Sequence, residues 1–305
     1  MSAPPERSER SRVVAISSNK GGVGKTTLAT NLAVYVRALR EDLPVLIVGL
    51  DDQRSIDRMF ALREPAPGDA NLKHGWAERS LASAIQLGQY GVHFVPSPPD
   101  VSLLKARAED PNTLARILAR TAWPGLVILD TKSDLEALTQ NAWVAADRIL
   151  LPVADAASLE EAGKALRMIE RRGVGSERAR LVFTLVDRRA RVAGGGDHLF
   201  RRLVDQTRRE RWPYYKTHLS RSPRVESLNS GDGRPLSILH HARGTAAHGQ
   251  LRDLALELLH DLSLSRPLPG QGDGPDELWG RPAAPAPVRV PAPAGVRRII
   301  PLRRR

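Results

Sequence analysis

The residues with the clearest chemical potential form a glycine-rich stretch near the amino terminus. It reads Lys20-Gly21-Gly22-Val23-Gly24-Lys25-Thr26-Thr27. Backbone N–H groups of such a loop, at the start of a helix, form a concave site that favours phosphate. Lys25 is placed to bridge the β- and γ-phosphates of a nucleotide, and the Thr26 hydroxyl is placed to bind Mg²⁺. The alternative is a glycine-rich turn without a ligand, so the elements on either side of the loop must decide.

Those elements are a strand before the loop and a helix after it. Residues 12–17 read RVVAIS, a short β-branched run typical of a buried parallel strand. From Thr26 to Arg40 apolar residues recur at helical spacing, and residues 44–50 (PVLIVGL) predict a second buried strand. A strand, a loop, a helix and a strand in this order form a βαβ unit, which favours the nucleotide-binding interpretation.

The same alternation continues along the chain. Strands are predicted over 92–96, 125–130, 148–153, 180–186 and 214–219, and helices over 102–120, 134–146, 158–172, 198–211 and 244–262. This pattern predicts an α/β fold with a doubly wound, mostly parallel sheet flanked by helices. We expect a disordered leader over 1–11, one ATPase domain over 12–263, and a disordered tail rich in proline and arginine over 264–305.

Composition narrows the chemistry further. The chain contains no cysteine, which excludes disulfides, thiolate metal sites and a cysteine nucleophile. It also has no continuous apolar run of the roughly 18 residues that a membrane span needs. We therefore expect a cytoplasmic protein. The formal net charge of +12 favours polyanionic partners, although a general preference for arginine would raise the charge equally well.

Several segments together resemble the ParA/MinD family of deviant Walker A P-loop ATPases, and ParA most of all. The loop matches the family's KGGxGK(T/S) box, and the matching segments further along are Asp51-Asp52-Gln53, Val127-Ile128-Leu129-Asp130-Thr131, residues 138–142 and 146–153, and the late segments 224–227 and 233–235. The resemblance covers roughly residues 12–262. It implies a P-loop NTPase fold with ATP and Mg²⁺ as cofactors.

The resemblance also implies roles for individual residues. Lys20 matches the signature lysine that reaches across an ATP-sandwich homodimer, and Lys25 is the P-loop lysine. Asp51 matches the aspartate that orients or activates the attacking water, although an ordinary turn-capping carboxylate is the alternative. Asp130, together with Thr26, is expected to hold Mg²⁺. Turnover is expected to be slow and to be stimulated by a ParB-like or other adaptor protein.

The sequence departs from the family pattern at three places. Gly49 stands where the family usually has its first aspartate, and Asp52 stands in place of a proline. Lys132-Ser133 replaces the pair of prolines that usually follows the aspartate at the position of Asp130. The departures at Gly49 and Asp52 predict slow or differently regulated hydrolysis.

Two branches of the family remain as interpretations. A ParA-like ATPase would bind DNA without sequence preference, segregate DNA or position a cargo, and associate with the nucleoid; the candidate phosphate contacts are Arg188, Arg189, Arg221 and Arg224. Each of these arginines could instead lie on a solvated surface. A MinD-like ATPase would cycle on a membrane through an amphipathic terminus. Residues 296–305 contain few large apolar residues and include Pro301, which disfavours the membrane.

Overall fold

The computed structural model describes residues 11–64, 66, 68–98, 100–187, 196–229 and 234–265, with residues 196–198 described by their backbone alone. Most of the predicted leader, Arg188, Arg189 and the predicted tail beyond residue 265 therefore lie outside the described residues.

A mostly parallel sheet forms the centre of the described structure. Its strands lie in the order β3-β4-β2-β5-β1-β6-β7. All neighbouring pairs are parallel except β3 and β4, which are antiparallel. The strands are β1 (Arg12–Ile16), β2 (Val45–Leu50), β3 (Gln86–Leu87), β4 (His93–Val95), β5 (Leu126–Thr131), β6 (Arg148–Val153) and β7 (Ala179–Phe183). This arrangement confirms the predicted fold class.

The register of the three central strands brings their carboxyl ends level. Ile16 of β1 pairs with Asp130 of β5, and Gly49 of β2 pairs with the same aspartate from the other side. The loops that follow these strands therefore leave the sheet side by side. In open α/β sheets, ligands bind at the carboxyl ends of the strands.

Helices cover both faces of the sheet. They are α1 (Lys25–Leu39), α2 (Ser55–Phe60), α3 (Leu72–Glu78), α4 (Thr113–Thr121), α5 (Ala137–Ala145), α6 (Ala156–Arg171), α7 (Gly196–Arg209), α8 (Pro223–Asn229), α9 (Ile238–His241) and α10 (Ala246–Asp261). Val13 and Ala15 pack in one apolar cluster with Trp143 and other residues of α4, α5 and α6. Val14 and Ile16 are equally buried but lie outside that cluster. Alternate strand residues point to opposite faces, so both faces are covered.

Two of the predicted elements differ from those in the structure. The helix predicted over 102–120 is a 3-10 segment over Val101–Arg107 followed by α4, with Pro111 between them. Proline has no N–H and disfavours helical backbone in the residue before it, which explains the break. The strand predicted over 214–219 makes two isolated parallel bridges beside β7, Leu181 with Tyr214 and Val186 with Ser220.

Helix α10 is joined to the edge of the sheet through Asp261. Its carboxylate accepts hydrogen bonds from Arg148 Nε at 2.7 Å and Nη2 at 2.9 Å, and from Arg180 Nη2 at 3.3 Å. The buried Tyr215 donates its hydroxyl to the same carboxylate at 2.9 Å. One carboxylate therefore connects α10, β6, β7 and the segment beside β7.

Candidate nucleotide-binding site

The glycine-rich loop connects the end of β1 to the start of α1, as the sequence predicts. Gly22 and Gly24 have φ values of 76° and 87°, in the left-handed region that favours glycine. A Cβ added at either position would meet no atom of the described chain within 4 Å, so the conformation, rather than crowding, requires glycine there. The space in front of the loop is therefore open to a ligand, at the amino end of a helix that favours phosphate.

Lys25 begins α1 and lies inside this site. Its side chain is largely buried, and Nζ donates to Ser133 Oγ at 2.5 Å and to the Lys20 carbonyl at 3.3 Å. Burial lowers the pKa of Lys25, while the carboxylates of Asp130, Asp51 and Asp134 act in the opposite direction. The Walker lysine is thus held between the loop and the segment that follows β5.

Asp130 stands at the end of β5 beside Thr26. It is 2% exposed, and the described part of the chain supplies no hydrogen-bond partner for its Oδ1. Burial raises its pKa to about 7, although the Thr26 hydroxyl and the Lys25 ammonium favour the charged form. A buried carboxylate oxygen without a partner, next to a hydroxyl, fits a hard cation that takes oxygen ligands. Thr26 and Asp130 are therefore the residues that would hold Mg²⁺.

The loop after β2 carries the predicted hydrolytic residue. Asp51 is half-buried, and its Oδ1 accepts a hydrogen bond from the Gln53 N–H at 3.2 Å. Its charge acts on both Lys25 and Asp130, so the three groups lie within electrostatic reach of one another. The structure thus brings Asp51 to the same edge of the sheet as the phosphate loop.

Gly49 occupies a crowded position in β2. A Cβ there would lie 3.1 Å from Ile56 Cγ1 and 3.2 Å from Ser97 Oγ. A larger side chain such as aspartate would require these neighbours to move. The missing first aspartate is therefore matched by close packing around the glycine.

Lys20 is bound within its own chain. Its Nζ lies 2.6 Å from Asp155 Oδ2, and the two side chains are 34% and 46% exposed. Asp155 also caps α6 by accepting a hydrogen bond from the Ser158 N–H at 2.8 Å. The neighbouring Asn19 donates to Glu161 of α6 at 2.6 Å. The start of the loop is thus attached to α6 at an accessible surface.

The described candidates for DNA contact have protein partners. Arg221 donates to Glu226 at 2.8 Å, and Arg224 donates to the His241 carbonyl from Nε at 3.2 Å and Nη2 at 2.9 Å. Both arginines are nevertheless exposed on the surface. Arg188 and Arg189 lie outside the described residues.

The structure shows three contacts at the site that the sequence did not predict. They are Ser133 with Lys25, Asp155 with Lys20, and Lys132 with Asp52. Ser133, Asp155 and Lys132 each follow closely on the end of β5 or β6. Polar residues at the carboxyl ends of predicted parallel strands were the available signal, but the strand order was needed to pair them.

Comparison with known proteins identifies the family of this chain. Residues 11–172 match the family described as AAA domain. The chromosome-partitioning ATPase Soj of Thermus thermophilus is 33% identical, over 57% of this chain and 68% of Soj. The chain belongs to the ParA/MinD family of P-loop ATPases. Another relative, the maintenance of carboxysome distribution protein A of Gloeobacter kilaueensis, is 33% identical over 53% of this chain and 73% of its own length.

The solved structures agree with this membership at the level of the fold. An ATP complex of McdA from Cyanothece superposes with a TM-score of 0.67 at 13% identity, and the match covers 86% of this chain and all of McdA. As a member of the ParA/MinD family with the site described above, the chain is an ATPase whose cofactors are ATP and Mg²⁺. Within the part of the chain that the structure describes, no helix has the length and apolar character to cross a bilayer.

Proposed function

We propose that this ParA/MinD-family ATPase forms an ATP-dependent sandwich dimer, binds DNA without sequence preference, and drives DNA segregation or cargo positioning. Hydrolysis, stimulated by a ParB-like or other adaptor protein, ends each cycle. The observation that carries the proposal is the position of Lys20. Its ammonium group lies at an accessible surface beside the phosphate loop, held by a carboxylate that is itself half exposed.

Different residues of the site bind the phosphates, the metal ion and the attacking water. The backbone of Gly21 to Thr27 surrounds the phosphates, and Lys25 exchanges its contact with Ser133 for the β- and γ-phosphates. Thr26 and Asp130 would hold Mg²⁺, which would neutralise charge on these phosphates. Asp51 orients the attacking water from the neighbouring loop, at the same edge of the sheet.

Dimerisation follows from an exchange of partners by Lys20. In the single chain its ammonium binds Asp155. A γ-phosphate in a facing subunit carries more negative charge than one carboxylate, so it competes for the same lysine. A second cation near the transferred phosphate also stabilises charge that develops during hydrolysis. ATP would therefore link dimerisation to catalysis.

DNA binding is supported by charge. The net charge of +12 and sequence pI of about 10.7 suit a polyanion, and non-specific DNA binding requires phosphate contacts rather than base contacts. Arg221 and Arg224 are the proposed contacts among the described residues, with Arg188 and Arg189 as further candidates. We propose that the protein is associated with the nucleoid through these contacts.

The cargo is proposed from the relatives. Soj is named for chromosome partition, and the Gloeobacter protein is named for carboxysome distribution. Both descriptions concern the distribution of a large object within the cell. We propose a cargo of this kind, either a chromosome or plasmid or a large protein assembly.

Co-sedimentation tests the proposal directly. Purified protein is mixed in Mg²⁺-containing buffer with plasmid-length DNA, or with liposomes that contain anionic lipid. Each mixture is prepared with ATP, with ADP and without nucleotide. We expect the protein to be retained on DNA only when ATP is present. The ATP-bound dimer presents two sets of basic side chains and therefore releases more counterions from DNA than a monomer does. Retention on liposomes alone would instead select a MinD-like membrane cycle.

The Lys20→Ala variant is the control for dimerisation. It should bind ATP as the wild type does, because Gly21 to Thr27 remain intact, but it should stay monomeric with ATP in analytical ultracentrifugation. A variant that still dimerises with ATP would contradict the role given to Lys20.

A further inference from the structure

Two departures from the family pattern lie next to each other in the structure. Leu50 of β2 pairs with Thr131 of β5. Both strands are parallel and end at these residues, so the next residues, 51–52 and 132–133, leave the sheet in adjacent loops. Asp52 and Lys132 each stand where the family has proline. The two unusual residues are therefore brought together by the register of the sheet.

The side chains of Asp52 and Lys132 form an ion pair. Lys132 Nζ lies 3.0 Å from Asp52 Oδ2. The other carboxylate oxygen of Asp52 accepts a hydrogen bond from the Ser102 N–H at 2.9 Å, so the 3-10 segment also holds it. Lys105 lies nearby but binds Asp134 and Glu136. Lys132 is thus the cation that binds Asp52.

Each end of this ion pair is adjacent to a residue of the site. Asp52 directly follows Asp51, and Lys132 directly precedes Ser133, whose hydroxyl is 2.5 Å from Lys25 Nζ. A short path of bonded and hydrogen-bonded groups therefore runs from Asp51 to the Walker lysine. Two prolines would stiffen their own loops but could not connect them, because proline has no polar side chain.

The exposure of the pair indicates what it contributes. The side chains of Lys132 and Asp52 are 40% and 31% exposed, and exposed ion pairs add little to folding stability. Fixing the distance between two loops is a different effect, since small displacements of a catalytic group reduce rates strongly. The pair is therefore suited to set geometry.

We propose that Lys132, through Asp52, is a positioning residue for Asp51 in ATP hydrolysis. The proposal rests on the role given to Asp51 under Proposed function. Lys132 holds the loop that carries Asp51 against the loop that carries Ser133, and so fixes Asp51 relative to the phosphates bound at Lys25. Loss of the pair should slow hydrolysis and leave ATP binding almost unchanged.

The test compares Lys132→Met, Lys132→Arg, Asp52→Asn, the double variant Asp52→Asn/Lys132→Met, and Asp51→Asn. Hydrolysis is followed as single-turnover release of phosphate from radiolabelled ATP, and ATP affinity is measured by displacement of a fluorescent ATP analogue. Arg116→Met is the matched control, because it removes an exposed ion pair with Asp110 on another part of the surface. Thermal midpoints are recorded for every variant.

We expect Lys132→Met to lower the hydrolysis rate by about tenfold to a hundredfold with ATP affinity within about twofold of wild type. Lys132→Arg should retain most of the rate, because it keeps a cation that can bind Asp52. In the Asp52→Asn background, Lys132→Met should have little further effect, since the pair is already broken. The thermal midpoints and the Arg116→Met rate should stay close to wild type.

Other outcomes separate the two proposals. If Asp51→Asn abolishes hydrolysis while Lys132→Met hydrolyses ATP at the wild-type rate, the positioning role is wrong and the role of Asp51 stands. If Asp51→Asn hydrolyses ATP normally, the role of Asp51 itself is wrong. A Lys132→Met variant that loses ATP affinity in proportion to its rate would show that Lys132 acts on nucleotide binding instead.

Discussion

Asp130 has a carboxyl group buried at the end of an apolar strand, and its pKa in the folded protein is about 7. An unfolded chain would give this carboxyl an ordinary pKa near 4. Between these two values the folded state binds the proton more tightly, so the contribution of Asp130 to stability falls as pH rises through this window. Above it, the nucleotide-free protein bears the full penalty of a buried charge.

Replacing this carboxyl should therefore stabilise the protein in the absence of nucleotide. We expect Asp130→Asn to raise the thermal midpoint at pH 8 by about 5 °C, and by much less at pH 5, because the wild-type carboxyl is then protonated. The measurement is thermal unfolding at both pH values without nucleotide or Mg²⁺. Asp253→Asn, at an exposed position of α10, is the control and should show no such difference. An equal shift at both pH values would argue against this explanation.

The residues of the phosphate loop could be predicted because their chemistry is local. Glycines at left-handed positions, a lysine and a threonine follow one another in the chain, so Gly22, Gly24, Lys25 and Thr26 needed no knowledge of the fold. The partners of the lysines are different. Asp155 lies 135 residues from Lys20 in the sequence, and Ser133 lies 108 residues from Lys25. These contacts depend on which strands are neighbours, and one sequence does not determine that order.

At the level of elements, buried strands were the most predictable features. β1, β2, β5 and β6 are apolar runs with burial on both faces, so their composition alone indicates them. The short elements were not predicted. Helices α2, α8 and α9 have four to seven residues and β3 has two. Such lengths are too short for a periodic pattern to be recognised in the sequence.

Packing between elements also limits which substitutions α6 accepts. A Cβ at Gly163 of α6 would lie 2.6 Å from Cη2 of Trp212, a rigid ring. We expect Gly163→Ala to destabilise the protein by about 1–3 kcal/mol, as overpacking usually does. Gly249→Ala is the matched control, because α10 leaves open space at that position within the described structure. There the same substitution should stabilise by about 0.5–1 kcal/mol.

Chemical denaturation measures both variants. Opposite changes in the free energy of unfolding would support the packing described at Trp212. If Gly163→Ala stabilised the protein as much as Gly249→Ala, the close approach between α6 and the ring would be wrong.

At the scale of the whole molecule, charge determines the proposed partner. Arg221→Glu with Arg224→Glu should weaken DNA binding by the ATP-bound protein, because both side chains would repel phosphates. We expect the slope of log affinity against log salt to become less negative by about 3.6 for the dimer, or about 0.9 for each of the four lost phosphate contacts. The measurement is fluorescence anisotropy with labelled duplex DNA over a range of salt concentrations.

A matched control separates local contacts from net charge. Arg116→Glu with Arg120→Glu, on α4, changes the charge of the protein by the same amount. If this control reduced the salt slope as strongly, the effect would come from overall charge rather than from Arg221 and Arg224. An unchanged affinity in the first variant would remove those two residues from the proposed interface.

The carboxylate of Asp261 has a consequence for how the protein is made. It is the shared acceptor for Arg148, Arg180 and Tyr215, which lie up to 113 residues earlier in the chain. A nascent chain that has emerged from the ribosome only as far as β7 therefore lacks the acceptor for Arg148 and Arg180. These side chains can gain their shared acceptor only when α10 has left the exit tunnel, so this contact forms after the strands that it joins have been synthesised.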